Sequence, residues 1–81
     1  MVEKDMNISD SDFNYLVNSI TSSLIKLLME RRGLSFKDAL DKVYLSDTYA
    51  KLLQSDSGLY VQSPGYVFEF LEHELDYGEL G

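Results

Sequence analysis

The sequence has no cysteine and no tryptophan, and its 81 residues include one proline and one histidine. The absence of cysteine excludes disulfides and thiolate metal ligands. A single histidine without a recognisable catalytic motif leaves little from which to build an enzyme active site. The five glycines are scattered, so no glycine-rich phosphate-binding loop is present. We therefore expect a protein that is not an enzyme and that binds no metal or cofactor.

Long apolar runs are also missing, and no signal peptide is recognisable. These features predict a soluble, cytoplasmic protein. Apolar residues still make up 44% of the chain, which is enough for one hydrophobic core. We expect one helical domain over residues 9–78, a flexible N-terminus over 1–8 and a C-terminal tail over 79–81. Because so small a domain buries only about 60–65% of its unfolded surface, a homodimer would be a natural supplement to stability.

Charge is distributed unevenly within the net total of −7. Residues 26–51 contain six basic groups against four acidic ones, a net of +2, and the remainder contains one against ten, a net of −9. This excess of acid disfavours nucleic-acid binding, which depends on neutralising phosphates. It is compatible with a basic partner, and with self-association between the basic middle of one copy and an acidic end of another.

The stretch from Ser9 to Gly33 predicts one long helix. Ser9 is a candidate N-cap, and Asp12 stands at capping-box spacing from it. Gly33 suits the left-handed residue that follows a helix. Seven apolar side chains recur at helical spacing and form one stripe: Phe13, Leu16, Val17, Ile20, Leu24, Leu27 and Leu28. This stripe predicts the face on which the remaining helices pack.

Ile25 and Met29 lie beside this stripe, with Tyr15 roughly in line with them. Two interpretations are open: another helix of the same chain covers these residues, or they belong to a subunit interface. Tyrosine suits half-buried and interface positions, because its ring packs while its hydroxyl stays in water. The candidate interface residues are therefore Tyr15, Ile25, Met29 and Tyr60.

Three further helices are predicted over residues 36–45, 47–54 and 64–77. The helix over 47–54 should bury Tyr49, Leu52 and Leu53, and its junction with the helix over 36–45 at Ser46 is either a break or a kink. Residues 59–61 form the one strand-like piece, either an extended connector or an edge that pairs with another chain.

The last helix opens at Ser63-Pro64, where serine is a preferred N-cap and proline is pre-organised for the first turn. Its apolar face comprises Val67, Phe68, Phe70, Leu71 and Leu75. Glu74 projects into this face, where it either extends to water or meets Arg31 or Arg32.

The opposite stripe of the last helix contains Glu69, His73 and Asp76. An imidazole four residues from a carboxylate can share a metal ion. We interpret the stripe as a solvated acidic face, because any further ligands would have to be oxygen atoms.

Residues 46–75 resemble small bacterial helical domains of unknown function that can be encoded near predicted ADP-ribosyltransferase-like toxins. The matching features are the helix end at Tyr49–Leu53, the Gly58-Leu59-Tyr60 turn, and Ser63-Pro64 opening an aromatic-rich helix. The resemblance transfers no catalytic residue. It implies a bacterial accessory or regulatory module, of the kind found in loci like those of toxins and antitoxins.

The sequence thus predicts an all-α fold, a three- or four-helix bundle built on the long N-terminal helix with one short extended connector. The expected function is a non-enzymatic protein-interaction or regulatory module whose partner is a second copy or another protein. The alternative is a regulator that binds nucleic acid through a helix-turn-helix, since residues 27–53 combine a helix, the Gly33 turn, a second helix and the basic surplus. An αα-hairpin within a bundle explains the same residues.

Overall fold

A computed structural model describes residues 10–78, which form four α-helices joined by short turns. The helices are α1 (Asp10–Arg32), α2 (Phe36–Tyr44), α3 (Asp47–Leu52) and α4 (Pro64–Tyr77). Two single-turn 3₁₀ helices, Ser55–Ser57 and Leu59–Val61, lie between α3 and α4. Helix α1 packs against α2, α4 and the second 3₁₀ turn, and α3 packs against α2 and α4. The predicted all-α architecture is confirmed, whereas the predictions for Ser9 and for residues 1–8 and 79–81 lie outside the described residues.

The predicted stripe of α1 does face the core. Val17, Ile20, Leu24 and Leu28 are buried, and Phe13, Leu16 and Leu27 are half-buried. Ile25 is also buried, at 8% exposed. For this residue, the interpretation that the same chain covers it is therefore correct.

Thr21 is a buried polar residue on α1 that the apolar pattern did not identify. Its hydroxyl donates a hydrogen bond of 2.7 Å to the Val17 carbonyl, one turn earlier in the same helix. The polar group is thereby satisfied without a partner from another helix. The buried arc of α1 is consequently wider than the predicted apolar stripe.

The junctions on either side of α2 are set by local signals. Gly33 adopts a left-handed conformation, with φ of 67°, and ends α1. Ser35 caps α2 by accepting a hydrogen bond from the Asp38 amide at 3.1 Å. Ser46 caps α3 in the same way, accepting from the Tyr49 amide at 3.0 Å. The boundary at Ser46 is therefore a break between two helices and not a kink.

Helix α3 ends at Leu52, two residues before the predicted end. Its buried positions are Leu52 and Thr48, which are both fully inaccessible to solvent. Tyr49 is half-buried. Burial raises the pKa of its hydroxyl above the ordinary value, and the electrostatic effect of Tyr44 raises it further. The prediction that Leu53 is buried was wrong: this residue follows the helix end and is 47% exposed.

Residues 59–61 form a 3₁₀ turn, so the prediction of an extended connector was wrong, as was the alternative of an edge strand. Gly58 adopts a left-handed conformation, with φ of 73°, and reverses the chain just before the turn. The Tyr60 ring then packs edge-on against Phe13, with ring centroids 4.9 Å apart. The tight turn thus places Tyr60 against α1. A stretch of only three residues is too short for its sequence pattern to distinguish such a turn from a strand.

Helix α4 has the predicted bounds. Ser63 accepts a hydrogen bond from the Tyr66 amide at 3.2 Å, Pro64 occupies the first turn, and Gly78 ends the helix with φ of 80°. Val67, Phe68 and Leu71 are buried, while Phe70 and Leu75 are half-buried. The predicted apolar face is thus the face that packs on α1 and α3.

Replacing Leu24 with alanine tests this core. Leu24 is completely buried, so Leu24→Ala should lower the free energy of unfolding by about 2–5 kcal/mol. The matched control Leu53→Ala changes a half-exposed leucine and should cost about 1 kcal/mol or less. Urea titration followed by circular dichroism measures both changes. Equal effects in the two variants would contradict the assignment of Leu24 to the centre of the core.

Candidate functional site

The Glu74 carboxylate of α4 is bound to the beginning of α3. One oxygen, Oε2, accepts a hydrogen bond from the Asp47 amide at 2.7 Å. The other, Oε1, accepts from the Thr48 amide at 2.9 Å and from the Thr48 hydroxyl at 2.8 Å. The first amides of a helix have no partners within it, and the helix dipole favours a negative charge there. Glu74 is therefore a tertiary cap that holds α3 against α4.

Ser46 completes the cap of α3. Its hydroxyl oxygen accepts from the Tyr49 amide and its proton is donated to the Val43 carbonyl at 2.6 Å. Together with Glu74, it gives the amides of Asp47, Thr48 and Tyr49 side-chain partners. A helix of six residues is too short to be stable alone, so these contacts fix both its existence and its position.

Glu74 does not pair with Arg31 or Arg32, as one of the two predicted alternatives required. Arg32 instead pairs with Asp76 at 2.9 Å and lies 4.0 Å from Glu72. The Arg31 guanidinium lies over the Phe68 ring, 5.8 Å from its centroid. The basic end of α1 is thus neutralised by the acidic face of α4 within one chain, which leaves less charge for the predicted complementarity between two copies.

Beside the Glu74 cap lies an open groove of about 500 Å³ between α2, the α2–α3 junction and the end of α4. We call it the α2–α4 groove. Its lining residues come from these three places and from the loop between α1 and α2: Leu34, Asp38, Asp41, Lys42, Leu45, Ser46, Glu74 and Leu75. Leu34 and Leu75 are half-buried, whereas Leu45 is 85% exposed. The groove therefore combines apolar side chains with carboxylates.

The lining of the α2–α4 groove has a net negative charge, because it contains three carboxylates and one lysine, Lys42. Glu74 is occupied by α3, whereas Asp41 accepts a hydrogen bond of 3.0 Å from Lys37, one turn away on α2. This hydrogen bond and the charge of Asp41 raise the pKa of the Lys37 ammonium. Lys37 is 80% exposed, and such an exposed pair contributes little to stability. Within residues 10–78, Asp38 makes no ion pair.

The structure does not bring the four candidate interface residues together. Ile25 is in the core, and Tyr60 is half-buried against Phe13. Tyr15 is 71% exposed and Met29 is 37% exposed. These two lie fourteen residues apart on α1, about 21 Å along the helix axis. Neither lies in the α2–α4 groove.

Sequence reasoning missed Leu45 as a site residue. A signal for it was present, because Leu45 falls on the opposite side of the α2 helical wheel from the buried Val43. Glu74 stands out in the sequence as a charge on the apolar face of α4, whereas its contact with the start of α3 depends on tertiary packing.

The acidic stripe of α4 is occupied by contacts within the chain. The His73 ring lies against Tyr77, with centroids 4.7 Å apart, and Asp76 pairs with Arg32. Across residues 10–78, no group of three histidine or carboxylate side chains is placed to hold a metal ion. In the same range, no helix is both long enough and apolar enough to cross a membrane.

Comparisons with known proteins gave no match to any protein-family model, to any curated protein or to any solved structure. The resemblance of residues 46–75 to small bacterial helical domains therefore stays a prediction.

Substitution of Glu74 tests the tertiary cap. Glu74→Ala removes the acceptor for two amides and one hydroxyl, so it should lower the free energy of unfolding by about 1–3 kcal/mol. Glu74→Gln keeps one acceptor oxygen and should have an intermediate effect. The control Glu69→Ala, at an exposed position of the same helix, should change stability by about 0.5 kcal/mol at most. Urea titration would contradict the cap if Glu74→Ala and Glu69→Ala behaved alike.

Proposed function

We propose that the protein is a cytoplasmic, non-enzymatic protein-interaction or regulatory module that binds a partner protein in the α2–α4 groove. The observation that supports this most directly is the 85% exposure of Leu45 at the edge of a groove that also contains two half-buried leucines. The resemblance of residues 46–75 to bacterial accessory domains adds a regulatory context to the proposal.

Leu45 is well placed to be an anchor for binding. Its amide donates to the Asp41 carbonyl at 3.0 Å, and the following amide of Ser46 donates to the Val43 carbonyl at 3.1 Å. The backbone is thus fixed on both sides, so little backbone conformational entropy is lost when a partner covers the side chain. Removing an exposed leucine from water is favourable, and full burial of the side chain contributes about 1.5–3 kcal/mol.

The nucleic-acid alternative has less support from the geometry. The exposed side of α2 presents Lys37 and Lys42 together with Asp38 and Asp41, and Lys37 is paired with Asp41. Because this side of α2 has no net positive charge, it does not neutralise phosphates. The next helix, α3, has only six residues and its first turn is occupied by Glu74. A mobility shift with duplex DNA that falls steeply with salt would favour this alternative instead.

Site-specific cross-linking tests the proposed module. A photoreactive amino acid at position 45 should capture a partner in cells, and the same group at the exposed position 61, outside the groove, should not. The captured protein is then purified and titrated with the parent chain. Leu45→Ser should weaken this binding by about tenfold or more, while Val61→Ser should leave it unchanged. Equal capture at both positions, or equal affinity of Leu45→Ser and the parent, would contradict the proposal.

A homodimer is a separate proposal that uses the outer side of α1. Ile25 is excluded from its surface by burial, which leaves Tyr15 and Met29. If α1 forms the interface, Met29→Asp should convert a dimer into a monomer with unchanged helical content, because an unpaired charge would be buried there. Light scattering over an approximately tenfold range of concentration measures this equilibrium. A monomeric mass throughout would contradict the dimer.

A further inference from the structure

We infer that the occupant of the α2–α4 groove is a short basic segment of a different protein. Its lysine or arginine side chains pair with Asp38 and Asp41, while an apolar side chain packs against Leu34, Leu45 and Leu75. This inference rests on the proposed function, and it specifies the chemistry of the partner.

The carboxylates of the groove differ in their availability. Glu74 is committed to three hydrogen bonds at the start of α3. Asp38 makes no ion pair in the described part of the chain, and the Asp41–Lys37 pair is exposed enough for a competing cation to replace it. Two carboxylates one turn apart on α2 are therefore accessible to a cationic partner, with which they form charge-assisted hydrogen bonds.

The leucines of the groove require a partner that carries apolar side chains as well as positive charge. Leu34, Leu45 and Leu75 line the same space as Asp38 and Asp41. A partner that carried only positive charge would leave the exposed leucine in water, and a partner that was only apolar would bury carboxylates without a counter-charge. A segment that combines basic and apolar side chains satisfies both conditions.

The volume of the groove favours a segment over a folded surface. About 500 Å³ is the size of a site that accepts a small ligand or a few side chains. A stable interface between two folded proteins covers a much wider patch on each partner. The net charge of −7 on the whole chain also attracts a cationic segment over distance and accelerates the encounter.

A second copy of this chain is a poor occupant, because the described residues offer no free run of basic side chains. Arg32 and Lys37 form ion pairs within the chain, Arg31 lies over an aromatic ring, and Lys42 lines the groove itself. The others in the described range, Lys26 and Lys51, stand singly on separate helices. The basic segment therefore belongs to another protein.

A fluorescent synthetic peptide of alternating leucine and lysine is the probe, and anisotropy measures its affinity for the full chain. We expect saturable binding that weakens with salt. Two matched peptides, with glutamate for lysine or serine for leucine, should bind about tenfold more weakly or not at all.

Variants of the protein test whether the probe binds in the groove. The double variant Asp38→Asn with Asp41→Asn and the single variant Leu45→Ser should each weaken binding of the leucine–lysine peptide by about tenfold. Asp56→Asn and Val61→Ser are matched controls on exposed turns outside the groove and should bind like the parent. Circular dichroism checks that every variant keeps the parental helix content.

The outcomes separate this inference from the proposed function. Equal affinity for the glutamate peptide, or undiminished binding by the double aspartate variant, would overturn the basic partner, and the proposed function would survive if the cross-linked protein still required Leu45. Equal affinity for the peptide without leucine would show general attraction to charge and would also overturn the inference. Loss of self-association in Leu45→Ser would identify a second copy as the occupant and overturn it. If neither the probe nor the cross-linked protein depended on Leu45, both proposals would fail.

Discussion

The contact between the Glu74 carboxylate and the first amides of α3 is the constraint on which the α2–α4 groove depends. Helix α3 has six residues, too few to persist without help from elsewhere. Glu74 and Ser46 supply that help by satisfying the amides that the helix cannot satisfy itself. The same carboxylate closes one side of the α2–α4 groove. The Glu74 side chain therefore both holds α3 in place and lines the groove.

The arginines at the end of α1 make their contacts within the same chain. Arg32 joins α1 to Asp76 of α4, and Arg31 packs over Phe68. These contacts use the cationic end of α1, so the basic middle segment is less available to external anions than composition alone indicates. The groove is lined by three carboxylates, three leucines, Ser46 and one lysine, Lys42. This excess of carboxylates beside apolar side chains is the basis for preferring a basic protein segment over nucleic acid as the partner.

The sequence predicted the elements whose signals are local. Ser46 and Ser63 cap helices, and Gly33 ends one, because each acts on backbone groups within a few residues. It did not predict the role of Glu74 or the burial of Thr48, which depend on residues 26 or 27 positions apart. Residues 59–61 were missed because their 3₁₀ turn is fixed by contact with α1. Leu45 was missed because a helical wheel shows only which side faces away from the core.

The separation of 27 positions between Asp47 and Glu74 has a consequence for synthesis in the cell. A ribosome delivers the chain from its N-terminus, so α1 and α2 emerge well before α4. Until Glu74 has left the exit tunnel, the α3 segment has no cap from α4 and the groove lacks one wall. Leu45 and its neighbouring carboxylates therefore become a shaped surface only after translation has passed α4.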